Sequence, residues 1–191
     1  MDTHYKIRQA TASDSHRVPE IMLQAMEEMI FRLIRQEDQH AAVHFLTQLF
    51  QQKGNLYSYE NTFVVVDVDD RIIGSLTGYD GDRFIELRQP ILDLITEHYA
   101  NNLIPETETA GGEFYIDSIA VAPTARGKGI GTKLLHHAIT HAKENHFNQV
   151  GLLVDLANPN ARKLYERIGF HIGKKTYVAG SAYYHMYMQL T

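Results

Sequence analysis

The sequence predicts an α/β fold, and three observations carry that prediction. Short runs of β-type residues alternate with segments whose apolar residues recur at helical spacing, the order expected when helices pack on the faces of a mixed sheet. A strand-like segment, Phe114 to Val121, hands over to a helix-like one, Ile130 to Asn145, through a loop with glycines at 127, 129 and 131. Finally, 191 residues, 44% of them hydrophobic and 21% charged, suit one domain over residues 1–191, which would bury about 70% of its unfolded surface.

Taken in order, Tyr5 to Ala10 reads as a first strand, stopped by the polar run Thr11 to Ser15. Val18, Ile21, Met22, Ala25, Met26, Met29, Ile30 and Leu33 then trace one face of a helix, whose methionines read as gap-filling core. Ala42, Phe45, Leu46, Leu49 and Phe50 mark a second helix. Thr62 to Asp67 and Arg71 to Tyr79 pair as a hairpin with Asp69 and Asp70 near its turn. The long stretch Asp80 to Gly112 predicts a helix from Pro90 to about Asn101, with the proline in its first turn and Ile91, Leu94, Ile95 and Tyr99 as its stripe. Thr107 to Gly112 reads as a flexible return.

After the glycine loop, a helix buries Ile130, Leu134, Leu135, Ala138, Ile139 and Ala142. Its other face carries His136, His137 and His141 and reads as solvated. Gly151 to Asp155 is a buried-type strand, and Asn158 starts the next helix with Pro159 as first residue. Two strands close the chain, about Phe170 to Val178 and Tyr183 to Gln189, joined by a turn at Ala179-Gly180-Ser181. That makes about seven strands.

Composition excludes several classes. The net charge is −5 and no Lys/Arg block stands out, so no nucleic-acid partner is expected. With zero cysteines there is no disulfide framework, thiolate metal site or cysteine nucleophile. The start, Met1 to Lys6, is too polar for a signal peptide, and no apolar run approaches a membrane span; the expected location is cytoplasmic, with no membrane partner. His137 and His141 stand four apart, a zinc-compatible spacing, but no third ligand is near in sequence and no metal is expected.

The glycine loop is the site signal. Where a strand hands over to a helix without side chains in the way, backbone N–H groups converge on one anion and the helix dipole adds positive charge. A P-loop is excluded, because Gly127-Lys128 has Ala122 at the required glycine and Gly129 after the lysine. A dinucleotide fingerprint fails too, since its third glycine would fall at Thr132 or Leu134.

The pattern Arg126-x-x-Gly129-x-Gly131, behind the strand Tyr115 to Val121, resembles the acyl-CoA pyrophosphate loop of the GNAT superfamily of N-acetyltransferases. Asn158-Pro159-Asn160-Ala161 through Tyr165 to Gly169-Phe170 is similar to a second element of that family, N-x-x-A-x-x-x-Y-x-x-x-G-F. The resemblance is specific from about Phe114 to Phe170. It implies a GNAT-like mixed sheet with a helical insertion, at about 80–112, between the third and fourth strands.

It also implies a chemistry: transfer of an acetyl group from acetyl-CoA to a primary amine, direct for want of a cysteine. A non-catalytic acyl-CoA-binding or sensing module is the alternative. By resemblance, backbone groups of Gly127 to Gly131, including Ile130, and the Thr132 hydroxyl would hold the pyrophosphate, with Arg126 and Lys128 adding charge. Backbone groups of Ile119, Ala120 and Val121 would pair with the pantetheine arm, and the N–H near Val121 would polarise the thioester carbonyl. Tyr165 matches the general acid for the departing thiolate; Asn158 would cap its helix and also touch the pantetheine arm.

Strand alternation places Glu113, Tyr115, Asp117, Ile119 and Val121 on one face, which the resemblance turns toward the acceptor cleft. Asp117 is the first candidate base, and Glu113, through water, the second; either would equally serve to bind a positively charged acceptor. The acceptor could be a polyamine, an antibiotic, an amino acid or a protein N-terminus; the anionic net charge favours a small cationic amine over a protein. The insertion helix would lie near the acceptor mouth, the alternative being a surface helix or subunit contact. The tyrosine-rich last strand could pair across a homodimer.

Overall fold

In the computed structural model, which describes residues 5–109, 111–178 and 180–191, seven strands form one sheet. They are β1 (Lys6–Gln9), β2 (Thr62–Val66), β3 (Ile72–Asp80), β4 (Phe114–Val121), β5 (Gln149–Asp155), β6 (His171–Val178) and β7 (Ser181–Gln189), in the order β1-β2-β3-β4-β5-β7-β6. Readings that fall on Met1 to His4, Ala110 and Ala179 lie outside the described residues: the polar start, part of the return arm and the first residue of the last turn. Every pairing is antiparallel except β4 with β5.

Among the described residues, five α-helices cover the two faces: α1 (Val18–Ile34), α2 (Gln39–Phe50), α3 (Phe84–Tyr99), α4 (Ile130–Glu144) and α5 (Pro159–Ile168). One core joins α1, α2 and α3 to Val64, Val66, Tyr79, Tyr115 and Ala120 of the sheet. The other joins α4 and Tyr165 of α5 to Phe63, Val65, Leu76, Phe114 and Ile116. Both periodicities read from the sequence thus describe real buried faces. Among the described residues, no helix is long and apolar enough to cross a membrane.

Two features open a cleft in the middle of this sheet. β4 and β5 are hydrogen-bonded only over Phe114–Ile116 against Val150–Leu152, although both strands run on beyond. In addition, the β3–β4 register steps from Thr77 opposite Ser118 to Gly78 opposite Ile116, so Asp117 is an extra, bulged residue. The bulge reverses the alternation. Tyr115 and Ala120 face the α1 core, whereas Ile116, Ile119 and Val121 pack on the α4 side. The period-2 reading, which put Ile119 and Val121 beside Asp117, is corrected by that one residue.

The segment between β3 and β4 also differs from its expected form. α3 starts at Phe84, six residues before Pro90, so the proline lies inside the helix. Asp80 caps the single 3-10 turn ahead of it, its carboxylate accepting the Asp82 N–H at 3.0 Å. Phe84, Leu87, Ile91 and Ile95 are buried in the α1–α2 core, so α3 is built into the fold. Ile95→Ala should therefore cost about 2–5 kcal/mol in urea unfolding, the range for a fully buried aliphatic truncation. A loss under about 0.5 kcal/mol would return α3 to the class of surface additions.

Two further corrections follow from packing. β7 is paired on both sides, with β5 and with β6, so it has no edge to offer a second subunit. His137 and His141 are half-buried, edge-on to Phe63 with ring centroids 4.8 and 4.9 Å away, and burial lowers the pKa of both. His136 is exposed, as read from the sequence, whereas His137 and His141 are partly covered by the sheet rather than solvated.

Candidate active site

The glycine loop has the backbone its sequence asks for. Gly127 and Gly129 both sit at φ 75°, and a Cβ built on either would meet nothing within 4 Å. The glycines are thus required by the hand of the backbone, since the space around them is open. Gly129 immediately precedes α4, and its carbonyl accepts the Lys133 N–H at 3.1 Å. The N–H groups of Ile130, Gly131 and Thr132 come before that bond, at the positive end of a 15-residue helix. Arg126 ties the loop down: its Nε donates to the Val121 carbonyl at 3.1 Å and its terminal nitrogen to Gln24 of α1 at 2.8 Å. Lys128 donates to the Thr124 carbonyl at 3.3 Å.

The end of β4 leaves donors for a ligand. Ala122 N–H bonds the Ile73 carbonyl at 2.9 Å, so alternation gives the backbone groups of Ala120 to β3 as well. The N–H groups of Ile119 and Val121 then point to the other edge, where β5 has diverged. Of the three residues expected to pair with a pantetheine arm, two present their donors to the open wedge and Ala120 does not.

A cavity of about 740 Å³ fills this wedge. Its walls are the middle of α1, where the helix is broken at Met26 (φ −142°, ψ 22°), β4 from Tyr115 to Ile119, β5 from Leu152 to Asp155, and the first turns of α5. Tyr57, Glu108, Val178 and Tyr183 complete it.

Tyr165 and Asn158 both reach this cavity. Asn158 caps α5, its Oδ1 accepting the Ala161 N–H at 3.1 Å. Tyr165 packs edge-on to Phe170 (6.1 Å between ring centroids) and is 8% exposed. Its hydroxyl makes no hydrogen bond to another described residue, and burial pushes its pKa up to about 12. The proton is therefore held at neutral pH.

Asp117 faces the same cavity, on the Tyr115 and Tyr79 side of the sheet, as alternation from Tyr115 gives. The Tyr79 hydroxyl donates to its Oδ1 at 2.9 Å. Burial raises the carboxyl to about 6, against the pull of that hydrogen bond. A second carboxylate, Glu108, accepts the Tyr115 hydroxyl at 2.9 Å. Burial first, and then the charge of Asp117, push Glu108 up to about 8. Tyr79 and Tyr115 are Cα partners across β3 and β4, with rings 5.8 Å apart, so two neighbouring tyrosines each hold one acid.

Glu113 does not join them. It is fully buried outside the cavity lining, with His185 Nε2 at 3.0 Å, Gln149 Nε2 donating at 2.9 Å and Thr109 Oγ1 donating at 2.9 Å. Burial alone would raise its pKa, but the hydrogen bonds from His185 and Gln149 hold it below the ordinary glutamate value. A Cβ on Gly151 would lie 1.9 Å from the Glu113 carboxylate, so glycine is required there by close approach. The expected route from Glu113 through water to an acceptor is closed by this packing. Glu108, Tyr57 and Tyr79 carried no motif, and Glu108 lies on the arm read only as a flexible return.

Residues 23–170 match the family model for the acetyltransferase (GNAT) family. Streptothricin acetyltransferase A of Bacillus subtilis (strain 168) is 47% identical over 62 residues, 32% of this chain and 36% of that protein, so the match spans about a third of that relative's length. An acetyltransferase of Agrobacterium fabrum (strain C58) is 32% identical over 115 residues, 56% of this chain and 82% of that one. A solved acetyltransferase structure superposes with a TM-score of 0.83 at 28% identity, covering 97% of this chain and 100% of the other.

Proposed function

The chain belongs to the acetyltransferase (GNAT) family, and from that premise we propose that it moves an acetyl group from acetyl-CoA to a primary amine, by direct attack in a ternary complex. One observation carries the reading. A single cavity collects a neutral tyrosine hydroxyl without a protein partner, a carboxylate with a raised pKa and the edge of β4 where donors are left over.

The residues present fit acetyl-CoA. The positive-φ glycines leave the mouth of the loop open, and the start of α4 offers N–H donors and the Thr132 hydroxyl to a pyrophosphate. The wedge between β4 and β5 is suited to an extended arm pairing like an added strand. When bound, acetyl-CoA would supply the acetyl group as an activated thioester.

Asp117 takes the acceptor proton on a carboxylate oxygen. With a pKa of about 6 it is ionised at neutral pH yet more basic than an ordinary aspartate. The Val121 N–H, turned to the open edge, donates to the carbonyl oxygen under attack. Tyr165 gives its hydroxyl proton to the departing sulfur. The streptothricin relative matches over too little of its length for its acceptor to be carried over.

The test is release of free thiol from acetyl-CoA across a panel of amines. The wild-type rate should rise as pH passes upward through about 6, because Asp117 is active once deprotonated. Asp117→Asn should lower kcat by about a hundredfold and flatten that limb. If the limb survives and only the acceptor KM rises, Asp117 binds the acceptor and is not the base. Tight CoA binding with no thiol release for any amine would make the protein an acyl-CoA-binding module instead.

A further inference from the structure

The cavity has a charge bias beyond what proton abstraction requires. Glu27, Glu28, Glu108, Asp117 and Asp155 line it, and among the described residues no lysine, arginine or histidine does. The cation whose field reaches Glu108, Arg88, is turned away from the cavity. Its guanidinium lies 5.2 Å from the Phe84 ring centroid and donates to the Pro105 carbonyl at 2.5 Å. Beside the two inner acids stands Tyr57, 6% exposed and lining the cavity, whose hydroxyl makes no hydrogen bond to another described residue; burial first, and then the charges of Asp117 and Glu108, raise its pKa well above the ordinary tyrosine value. A buried hydroxyl left over inside a polar cavity is a place for a ligand's donor.

Glu108 is also held in position. The Tyr115 hydroxyl holds its carboxylate, and the next residue, Thr109, is pinned to the sheet by Glu113, which His185 and Gln149 hold in turn. The arm from α3 to β4 is thus anchored at the residue that follows Glu108. Raised to about 8, Glu108 keeps its proton at neutral pH beside ionised Asp117; with no cation among the described lining residues, a ligand's second cation would displace that proton and pair with a carboxylate already held in place.

We infer that the acceptor is a compact amine with a second cationic group, and that Glu108 binds this second group while Asp117 faces the reacting nitrogen. The identity of the reacting nitrogen rests on the acetyl-transfer reading; the preference for two charges does not. Glu108 is a specificity residue, and the Glu113–His185 pair is a positioning device for the arm that carries it.

The experiment is calorimetry on the CoA-saturated protein with 1,4-diaminobutane and with butylamine, which share a carbon chain and differ by one charge. The wild type should bind the diamine at least about tenfold more tightly, as expected for one added charge-assisted hydrogen bond. Glu108→Gln should remove that preference while leaving butylamine and CoA affinities within about twofold. Thermal melting checks the fold of the variant; if it is unfolded, Tyr115→Phe, which frees the Glu108 carboxylate but keeps the ring, should narrow the preference instead. Equal affinity for the two amines in the wild type overturns the inference, as does no diamine binding or an equal loss for both amines in the variant. Thiol release measured in parallel separates the two proposals. A diamine preference without release leaves this one standing and sinks the transfer reading. Release with an indifferent amine profile does the reverse.

Discussion

Tyr165→Phe is expected to lower turnover by about a hundredfold or more while leaving acetyl-CoA affinity within about twofold, the pattern of a group needed only in the transition state. The substitution keeps the ring against Phe170 and removes one hydroxyl that has no partner among the described residues, so no hydrogen bond of the fold is lost. Stability should not fall, and desolvation of an unpaired hydroxyl would be relieved. Because burial holds the wild-type hydroxyl protonated up to about pH 12, the loss should be uniform across the working pH range. Steady-state kinetics with a melting curve decides it. Full activity in a folded variant would return Tyr165 to the role of a core tyrosine.

Gly129→Asp should weaken CoA binding by about a hundredfold or more without unfolding the protein, since losing two charge-assisted hydrogen bonds to a pyrophosphate costs about 3–6 kcal/mol. The site explains why the fold should survive. A Cβ there meets nothing within 4 Å, and the strain of φ 75° costs about 1–2 kcal/mol for a non-glycine residue. A carboxylate at the start of α4 also offsets part of that, by about 0.3–1 kcal/mol, through the helix dipole. The same carboxylate lies where the pyrophosphate would sit. Gly129→Ala separates the two effects, because it carries the strain without the charge. Calorimetry showing CoA affinity unchanged in folded Gly129→Asp would move the phosphate site off this loop.

What was legible without coordinates was whatever a short stretch of chain constrains by itself. An amphipathic period betrays a buried face, so α1, α2, α4 and the seven strands could be placed to within a few residues. A left-handed backbone at a strand–helix junction requires glycine, so Gly127 and Gly129 mark the loop. The Asn158 cap and the α5 block are equally local. Pro90 misled because proline favours the first turn of a helix, yet α3 began earlier, at Phe84, straight after the 3-10 turn that Asp80 caps.

The rest depends on residues that meet only when the sheet assembles. The sequence alone determined the α/β fold, the family motifs, the glycine loop and the candidacy of Tyr165 and Asp117. Tertiary structure decided which acids share the cavity. The bulge that turns Ile119 and Val121 away from Asp117 is a register step between β3 and β4, and no period within β4 can reveal a step in its pairing. Glu113 was lost to the cleft because His185, 72 residues later, arrives beside it through the β5–β7 pairing. Glu108 was gained because an arm without periodicity is pinned by Tyr115 and Thr109 against that same network. Local propensity follows from neighbouring residues, whereas the charge environment of a carboxylate follows from whichever distant chain segments fold around it.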